Sequence, residues 1–389
     1  MNIQMVDLKG QYTKIQQEMD AAVLQVVRSG RYINGPEVGM FAEALQNYTG
    51  AKHVIPCGNG TDALQIALMA LGLKSGDEVI VPAFTYVASV EAIGLLGLTP
   101  VMVDVDPDSF NLTAKNIENG ISAKTKAIVA VHLFGQSCDM APIMALAKRH
   151  HLYVVEDNAQ SLGACYAIPP TPLYGESKEQ KQTGTIGHIG CTSFFPTKNL
   201  GGYGDGGAMM TNDDDLAQKL KMIANHGQRQ KYHHEVLGCN SRLDTLQAAV
   251  LNVKLKYLKD YTVARQKAAK IYTQGLTGLN RLDTPKEVSF STHVYHQYTI
   301  KVQDGKRDAL KQYLAEQGIP TMIYYPLPLQ EQPCFKYIAR SGASLTVAKA
   351  LSQSVLSLPM HTELTADEQE YIVNKIRTYF EGMSPLATQ

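Results

Sequence analysis

Short apolar segments alternate with helical patterns through the middle of the chain, and this alternation limits the fold more than any other feature. The strand candidates lie at 53–57, 78–82, 100–104, 126–131, 152–156, 190–195 and 207–211. Helical patterns lie between most of them, at 61–72, 86–97, 114–121 and 140–150. Strands that alternate with helices form a largely parallel sheet with helices on both faces. The sequence therefore predicts an α/β fold.

Helical patterns also flank this region. One covers 11–29, and Pro36 opens a second that ends near Tyr48. A long helical pattern runs from Leu243 to about Gln274, where the large α/β region ends. The rest holds strand candidates at 294–302 and near Thr321, and helical patterns at 306–317, 344–355 and 365–380. We expect a large α/β domain with an N-terminal helix over 1–250 and a small α+β domain over 251–389. Residues 166–187, rich in Pro, Gly, Lys and Glu, predict a solvated loop.

Composition argues against several classes of function. Lysine plus arginine and aspartate plus glutamate both number 36, so no surface for nucleic acid or a membrane is expected. The six cysteines are dispersed without a Cys-x-x-Cys pair, which is typical of a reducing compartment. The pairs His150–His151 and His233–His234 lack partners at ligand spacing, so we expect no metal site. The absence of a signal-peptide pattern and of a long apolar run favours the cytoplasm.

A single lysine, Lys198, lies between an apolar run and a loop with five glycines in the seven residues 201–207. Desolvation or a nearby cation lowers the pKa of an amine, and flexible glycine backbone lets such a lysine reach a bound carbonyl to form a Schiff base. The alternative is an ordinary surface lysine in a turn. Two other segments favour the nucleophile.

The first segment is 152–160, an apolar strand that ends in Glu156 and Asp157 and so places a carboxylate at the carboxyl edge of the sheet. The second is 53–64, where a short strand and a Gly-rich turn lead into a helix. Free amides at that helix start, with the Thr61 hydroxyl, predict an anion or phosphate site. Together with Lys198, these groups supply the anchor, the ring-nitrogen partner and the amine that pyridoxal phosphate requires.

On these residues the chain resembles the sugar-nucleotide aminotransferases of the DegT/DnrJ/StrS family, which are fold-type I pyridoxal-phosphate enzymes. The resemblance covers nearly the whole chain and is strongest at 58–64, 156–161, 193–207 and 238–244. It implies a mixed, mostly parallel sheet of seven strands with a smaller C-terminal α+β domain. It also implies pyridoxal 5'-phosphate as the cofactor.

The resemblance assigns roles to the residues of these motifs. Lys198 would hold the cofactor and act as general base and acid, and Asp157 would keep the ring nitrogen protonated. Gly60, Thr61 and Asp62 would form the phosphate loop. The alternative for Asp157 is a helix N-cap.

Three further side chains would contact the cofactor by the same resemblance. Ser193 would donate to the phosphate, although a lone serine in an apolar strand is also an ordinary core hydroxyl. Tyr86, chosen over Phe84, would stack on the ring, with core packing as the alternative. Gln160 would lie near the ring hydroxyl, or be an ordinary loop amide.

Two loops would complete the site. In the family, the loop that holds Asn240 and Arg242 reaches into the neighbouring subunit, so a homodimer with shared active sites is implied. Asn240 would then contact the cofactor phosphate and Arg242 the substrate, although the loop is also a plausible helix cap. Tyr324 and Tyr325 resemble a motif that borders the sugar site. Gln330 stands where many members carry histidine, which puts a proton-shuttling role at this position in doubt.

Two other functions compete with this interpretation. Residues 202–207 satisfy G-x-G-x-x-G, the pattern of a dinucleotide-binding dehydrogenase, but they run into the apolar segment 208–211 instead of opening a helix. A non-catalytic pyridoxal-phosphate-binding regulatory protein would have the same fold, but Lys198 and Asp157 argue against lost chemistry. Family dehydratases carry histidine in place of this lysine, so Lys198 favours transamination.

We therefore predict a cytoplasmic, homodimeric aminotransferase that uses L-glutamate to aminate a nucleotide-linked keto sugar. The motifs at 193–198, 202–207 and 240–247 look most like enzymes that aminate C3 of a UDP-linked 2-acetamido-2-deoxy-3-keto-hexuronate, a step toward surface polysaccharide such as lipopolysaccharide O-antigen. Arg242 would bind the uronate carboxylate, or form a loop salt bridge instead. The alternative substrate is a 4-keto-6-deoxy sugar aminated at C4.

Overall fold

The structure is a computed structural model that describes residues 3–169, 179–342 and 344–382. The α-helices in this part of the chain are α1 (Leu8–Ser29), α2 (Pro36–Thr49), α3 (Gly60–Ala70), α4 (Ala88–Leu95), α5 (Ala114–Glu118), α6 (Met140–His150), α7 (Asp214–Ala224), α8 (Thr245–Leu255), α9 (Leu258–Leu276), α10 (Arg307–Glu316), α11 (Thr346–Ser354) and α12 (Ala366–Glu381). None of these helices is long and apolar enough to cross a membrane.

The strands of the described residues, numbered in chain order, are β1 (His53–Cys57), β2 (Glu78–Pro82), β3 (Thr99–Val103), β4 (Thr125–Val131), β5 (Tyr153–Asp157), β6 (Cys165–Ile168), β7 (Glu179–Gln182), β8 (Ile189–Ser193), β9 (Gly207–Thr211), β10 (Gln228–Gln230), β11 (His233–His234), β12 (Leu282–Asp283), β13 (Tyr298–Val302), β14 (Arg340–Ser341) and β15 (Val355–Leu358). Every strand predicted between 53 and 211 is present within two residues of its expected ends.

Most of the large sheet is parallel, in the order β1-β9-β8-β5-β4-β2-β3-β14. Only β9 runs against its neighbours, β1 and β8. The predicted α/β class and mixed, mostly parallel sheet are confirmed. The predicted count of seven strands is wrong, because Arg340–Ser341 pairs in parallel with β3 and adds an eighth. A two-residue strand that depends on a distant partner has no periodicity of its own to reveal it.

Helices cover both faces of this sheet, as apolar strands require. All five residues of β2 are buried. Helices α3, α4 and α6 supply Ile66, Ile93 and Ile143 to the largest hydrophobic cluster, which contains the strand side chains. Helices α2 and α8 pack over β1 and β9 through Phe41, Leu251 and neighbouring side chains. The sheet is therefore rigidly held from both sides.

The boundaries of several helices differ from the sequence prediction. The long helix expected over 243–274 is two helices, α8 and α9, which break at Lys256 and Tyr257. Leu255 and Leu258, on either side of the break, both pack into the α2–α8 cluster. Helix α7 was missed, although its Asp213 cap, which accepts from the Leu216 N–H at 2.9 Å, was visible in the sequence.

A second hydrophobic core lies in the C-terminal part of the chain. Strands β12, β13 and β15 form a three-stranded sheet against α9, α10 and α12. Apart from Ile3, the buried residues of this core lie between 268 and 380. The strand expected near Thr321 is only an isolated bridge between Met322 and Ser357, and β15 was not anticipated. The division at residue 250 into a large and a small domain stays a prediction.

The predicted solvated loop over 166–187 is partly wrong. Strands β6 and β7 pair as an antiparallel hairpin within it. Tyr166 in β6 is fully buried, and its hydroxyl donates to Asp139 Oδ1 and accepts from the Ala141 N–H. Residues 170–178 of this predicted loop lie outside the described residues.

A fully buried carboxylate, Glu156, fixes the end of β5. It accepts backbone N–H bonds from Gly184, Ile186 and Gly187 at 2.6–2.8 Å, and its Oε2 lies 2.8 Å from His132 Nε2. Because His132 Nδ1 accepts from the Cys138 N–H at 3.1 Å, Nε2 carries the ring proton and donates to Glu156. Burial opposes the charged form of Glu156, but these hydrogen bonds outweigh it and lower the pKa of the carboxyl.

Glu156→Gln should therefore destabilise the protein. The amide NH₂ would replace an acceptor oxygen, so that two hydrogen-bond donors would face each other and the backbone N–H would lose its acceptor. We therefore expect the free energy of unfolding to fall by about 2 to 3 kcal/mol. The shift in the urea midpoint measures this loss. The matched control is Glu370→Gln at an exposed position of α12, which should change stability by less than about 0.5 kcal/mol. Equal midpoints for the two variants would contradict the role assigned to Glu156.

Candidate active site

The carboxyl ends of the parallel strands meet at one edge of the large sheet, where a cavity of about 460 Å³ opens. Strand β5 brings Asp157 to this edge, and β8 brings Ser193. The predicted site residues that line the cavity are Gly60, Thr61, Tyr86, Asp157, Gln160, Ser193, Lys198, Tyr324 and Tyr325. Side chains that are distant in sequence therefore share one cavity.

Lys198 follows β8 and is partly buried, and its amine has no hydrogen bond or ion pair within the described part of the chain. Its backbone N–H donates to the Phe195 carbonyl at 2.8 Å, which closes a turn after the strand. Burial lowers the pKa of the amine to about 8, although the charge of Asp157 opposes this shift. An amine with this pKa exists in both protonation states near neutral pH. It can therefore act as a nucleophile and as a base.

Asp157 is 6% exposed, and two hydrogen bonds orient its carboxylate. Oδ2 accepts from the Ser89 hydroxyl at 2.7 Å, and Oδ1 accepts from the Ala159 N–H at 3.1 Å. Ser89 lies in α4, and the sequence analysis missed it because the helical pattern gives no sign that this residue faces β5. The carboxylate is thus held at the cavity wall, where it can pair with a cationic ring nitrogen.

The anion site was predicted at the start of α3. Asn59 caps the helix by accepting from the Asp62 N–H at 2.8 Å, and the N–H groups of the first turn have no intrahelical acceptor. The backbone approaches its neighbours closely here. A Cβ on Gly60 would lie 2.7 Å from Ser193 Cβ, and one on Gly207 would lie 2.4 Å from the Asn59 carbonyl carbon. Glycine at these positions allows the helix start to lie against β8 and β9.

Asp62 does not line the cavity. Its carboxylate accepts from the Ser241 hydroxyl at 2.6 Å, and the same hydroxyl accepts from the Gly58 N–H at 2.9 Å. Ser241 is buried, whereas its neighbours Asn240 and Arg242 are exposed and half-buried and lie outside the cavity of their own chain. The loop that holds Asn240 and Arg242 is thus fixed to the phosphate loop of the same chain through Ser241. The side chains of Asn240 and Arg242 lie outside the cavity of that chain.

Aromatic side chains also line the cavity. Tyr86 is 56% exposed, and its ring lies 6.1 Å from that of Tyr325. Gln160 accepts from the Phe134 N–H at 2.8 Å and donates to the Tyr325 hydroxyl at 3.1 Å. Gln160 therefore holds Tyr325 in place through its amide. Gln330 does not line the cavity.

The glycine loop before β9 packs against the side chain of Gln247. It does not lead into a helix, as the glycine loop of a nucleotide-binding site does. The Tyr203 N–H donates to Gln247 Oε1 at 2.8 Å, and a Cβ on Gly202 or Gly204 would come within 2.8 Å of the Gln247 amide. The loop then leads into β9, so it does not join a strand to a helix as a dinucleotide fingerprint does.

The sequence analysis missed several other lining residues, namely Asn59, Thr85, Phe134, Phe195, Thr197, Asp205, His296 and Gln297. His296 and Gln297 come from the segment before β13, about a hundred residues from Lys198. No local pattern marks them, because only the packing of the second core against the sheet brings them to the cavity.

The arrangement fits an aromatic aldehyde that carries a phosphate. The free Lys198 amine can bind a carbonyl, the oriented Asp157 carboxylate can pair with a ring nitrogen, and Tyr86 offers an aromatic face. The α3 start and the Ser193 hydroxyl can receive a phosphate. These are the groups that pyridoxal phosphate requires.

Comparison with known proteins agrees with this chemistry. The DegT/DnrJ/EryC1/StrS aminotransferase family matches residues 13–377. The chain is 46% identical over 382 residues to a "Pleiotropic regulatory protein" of Geobacillus stearothermophilus, covering 98% of this chain and 99% of that protein. It is 44% identical over 362 residues to a "UDP-2-acetamido-2-deoxy-3-oxo-D-glucuronate aminotransferase" of Pseudomonas aeruginosa, covering 93% and 96%.

A solved structure, ntda from Bacillus subtilis with bound cofactor PMP, superposes with a TM-score of 0.85 at 30% identity. The match covers 97% of this chain and 83% of the other. PMP is the amino form of pyridoxal phosphate, so a relative with this fold binds the group that the cavity fits.

Proposed function

The chain belongs to the DegT/DnrJ/EryC1/StrS aminotransferase family, and on this premise we propose that it transfers an amino group from L-glutamate to C3 of a UDP-linked 2-acetamido-2-deoxy-3-keto-hexuronate. It is a sugar aminotransferase that depends on pyridoxal phosphate. The bound cofactor supplies a ring that accepts the electrons left when a proton leaves the carbon next to nitrogen. The observation that carries the proposal is the pair of a free Lys198 amine and an oriented Asp157 carboxylate in one cavity.

Lys198 is the proposed general base and acid. Its amine must take a proton from one carbon and return it to another atom of the same bound molecule. A catalytic group works best with a pKa near the operating pH, and burial lowers the pKa of Lys198 to about 8.

Asp157 and the α3 start are proposed to orient the cofactor. A carboxylate that already accepts from Ser89 and Ala159 is fixed in direction, and its charge favours a proton on the ring nitrogen. Gly60, Thr61 and Ser193 are proposed to bind the phosphate, with Asp62 acting indirectly through Ser241. Tyr86 is proposed to stack on the ring, and Gln160 to lie near the ring hydroxyl.

Arg242 supports a substrate with a carboxylate. Its guanidinium forms no ion pair or hydrogen bond within the described residues, so the loop salt bridge considered as an alternative is not observed there. Guanidinium binds a carboxylate through two parallel hydrogen bonds. A uronate and glutamate each carry one, and the 44% identical Pseudomonas relative is named for a 3-oxo-glucuronate. Tyr324 and Tyr325 are proposed to border the sugar.

A homodimer with shared sites is proposed to place Arg242 and Asn240 against substrate and phosphate. Neighbouring side chains of an extended segment point in opposite directions. Because the buried Ser241 side chain contacts the phosphate loop of its own chain, this alternation would turn Asn240 and Arg242 away from that loop and toward a second copy.

Two other functions are less well supported. A 4-keto-6-deoxy sugar aminated at C4 would leave Arg242 without a sugar carboxylate to bind. A regulatory role is suggested by the name of the Geobacillus relative, but it would not require a lysine amine and a carboxylate held in one cavity. We propose that the enzyme acts in the cytoplasm, in synthesis of surface polysaccharide such as O-antigen.

Lys198 should carry the cofactor. Borohydride treatment of the purified holoenzyme should attach the cofactor permanently to the peptide that contains Lys198, as mass spectrometry would show. Lys198→Ala should lower kcat by about 100- to 10,000-fold. Lys254 is the matched control, since burial also lowers its pKa to about 8 but it does not line the cavity. Label on Lys254, or a colourless protein, would refute the assignment.

Subunit mixing should show that the site is shared. Lys198→Ala and Asn240→Ala proteins should each be inactive alone, but a mixture should recover part of the activity, because each hybrid dimer holds one site free of both changes. Exchange of subunits must be demonstrated with two affinity tags. A tagged hybrid that is as inactive as its parents would count against sharing.

The substrate can be tested by comparing two keto sugars. We expect the 3-keto uronate to be converted much faster than a 4-keto-6-deoxy sugar. Arg242→Ala should lower kcat/KM for the uronate by about 10- to 100-fold, the value of one charged hydrogen-bonded contact, and affect the other sugar less. The control is Arg229→Ala, whose guanidinium pairs with Glu235 on the surface. Faster conversion of the 4-keto sugar, or an equal loss for both, would exclude the uronate assignment.

A further inference from the structure

Lys254 is a second buried amine, and the chemistry proposed above does not use it. It lies in α8, is 1% exposed, and forms no hydrogen bond or ion pair within the described part of the chain. Burying an unpaired charge is unfavourable, so a native protein keeps one only beside a group that offsets the loss of water. That group is the ring of Tyr203 in the glycine loop, whose centre lies 5.4 Å from the Lys254 amine.

The contact joins a cation to a neutral ring at neutral pH. Burial, then the positive charge of Arg265, lowers the pKa of Lys254 to about 8, so most of the amine is still protonated at pH 7. Burial raises the pKa of the Tyr203 phenol to about 12, so the phenol keeps its proton. A cation within about 6 Å of a tyrosine ring centre is attracted to the ring face, and the attraction is strongest where water is excluded.

Helix α8 holds Tyr203 at two points. The Tyr203 backbone N–H donates to Gln247 Oε1 at 2.8 Å. Gln247 and Lys254 are seven residues apart, so their side chains leave the same face of α8 two turns from each other. Tyr12 of α1 adds a third contact, since its ring lies edge to face with that of Tyr203 at 6.3 Å and its hydroxyl donates to Asp20 at 2.7 Å. The Tyr203 backbone and ring are thus held by two helices.

The glycine loop connects Tyr203 to the cavity. The Gly202 N–H donates to the Phe194 carbonyl at 2.7 Å, and the Phe194 N–H donates to the Gly206 carbonyl at 2.7 Å. Both bonds tie the loop to the residue that follows β8. Asp205, which lies between them in the loop, lines the cavity. A displacement of Tyr203 would therefore move part of the cavity wall.

We propose that Lys254 is a positioning residue: its cationic amine holds the Tyr203 ring and so fixes the glycine loop at the wall of the proposed active site. This role accounts for a buried charge where an apolar side chain of similar length would fill the same space. It involves no covalent change and no proton transfer at Lys254. The proposal rests on the proposed function only because it takes the cavity to be the active site.

Lys254→Met tests the role of the charge, because methionine removes the cation and keeps an unbranched chain. Replacement of a buried charge by an apolar group is often neutral or stabilising, so the urea midpoint should not fall. Amide hydrogen exchange of the holoenzyme should nevertheless show the peptide that contains Tyr203 opening about 10-fold more often, which corresponds to the loss of a desolvated cation–π contact. Unchanged protection of this peptide would overturn the proposal.

A double-mutant cycle tests whether Lys254 acts through the Tyr203 ring. Tyr203→Leu removes the ring and should reduce protection as much as Lys254→Met does, once intrinsic exchange rates are corrected. The double variant should lose no more, because both changes remove the same contact. Tyr203→Phe keeps the ring and should retain the wild-type protection. Additive losses in the double variant would show that the two residues act separately, and would overturn the proposal.

The matched control is Lys256→Met, two residues later in α8. Lys256 is exposed, and its amine pairs with Glu18 Oε2 at 3.0 Å and not with the glycine loop. This variant should leave exchange of the Tyr203 peptide unchanged. Equal acceleration in the Lys254 and Lys256 variants would indicate a general loosening of α8 and would overturn the proposal.

The consequence for the cavity is measured by cofactor binding. Titration of the apoprotein with pyridoxal phosphate, followed by its visible absorbance, should show an affinity lower by up to about 10-fold in Lys254→Met, the full value of the contact. Faster loop exchange with unchanged affinity would overturn the proposal, because the loop would then not fix the cavity wall. Wild-type protein that binds no pyridoxal phosphate would instead refute the proposed function, so the two failures are distinguishable.

Discussion

The buried Glu156 carboxylate fixes the backbone on which the proposed site residue Asp157 lies. It closes the turn over 184–187 with three backbone N–H bonds and holds His132, whose own backbone N–H donates to the Asp157 carbonyl at 3.1 Å. A buried anion is tolerated only when every acceptor direction is satisfied, so the surrounding backbone has little freedom. Asp157, the next residue, is therefore also held in a fixed position. Its carboxylate then needs only Ser89 and Ala159 to fix its direction.

The site depends equally on the contact between the two cores. The sheet supplies Asp157, Ser193 and Lys198 from strand ends, but another wall comes from the C-terminal half, from His296, Gln297, Tyr324 and Tyr325. These walls are joined by specific polar bonds, such as Asn199 to Val294 and Gln160 to Tyr325, and not by apolar packing alone. A substitution at this junction would alter the distance between the two walls of the cavity without changing a residue proposed to contact the cofactor.

The sequence predicts the sheet well because each strand is a short apolar run bounded by turn residues, a signal contained within a few residues. It fails where structure depends on distant partners. The Arg340–Ser341 strand forms only through its pairing with β3. The break between α8 and α9 is associated with the packing of Leu258 into the α2–α8 cluster. The same division holds for the site. Lys198 and Asp157 follow from strand ends, whereas Ser89 is brought to Asp157, and His296 to the cavity, by packing that no local pattern records.

A lowered lysine pKa does not by itself identify a catalytic amine, as Lys254 illustrates. Burial lowers its pKa to about 8, the same value as for Lys198. Yet Lys254 lies in α8 with its amine 5.4 Å from the centre of the Tyr203 ring, and the second influence on it is the positive charge of Arg265. Lys198 instead has an oriented carboxylate, Asp157, acting on it across a cavity large enough for a cofactor. Position relative to the strand ends is therefore the reason for which we propose Lys198, and not Lys254, as the reactive amine, and a pKa near 8 would let that amine react near neutral pH.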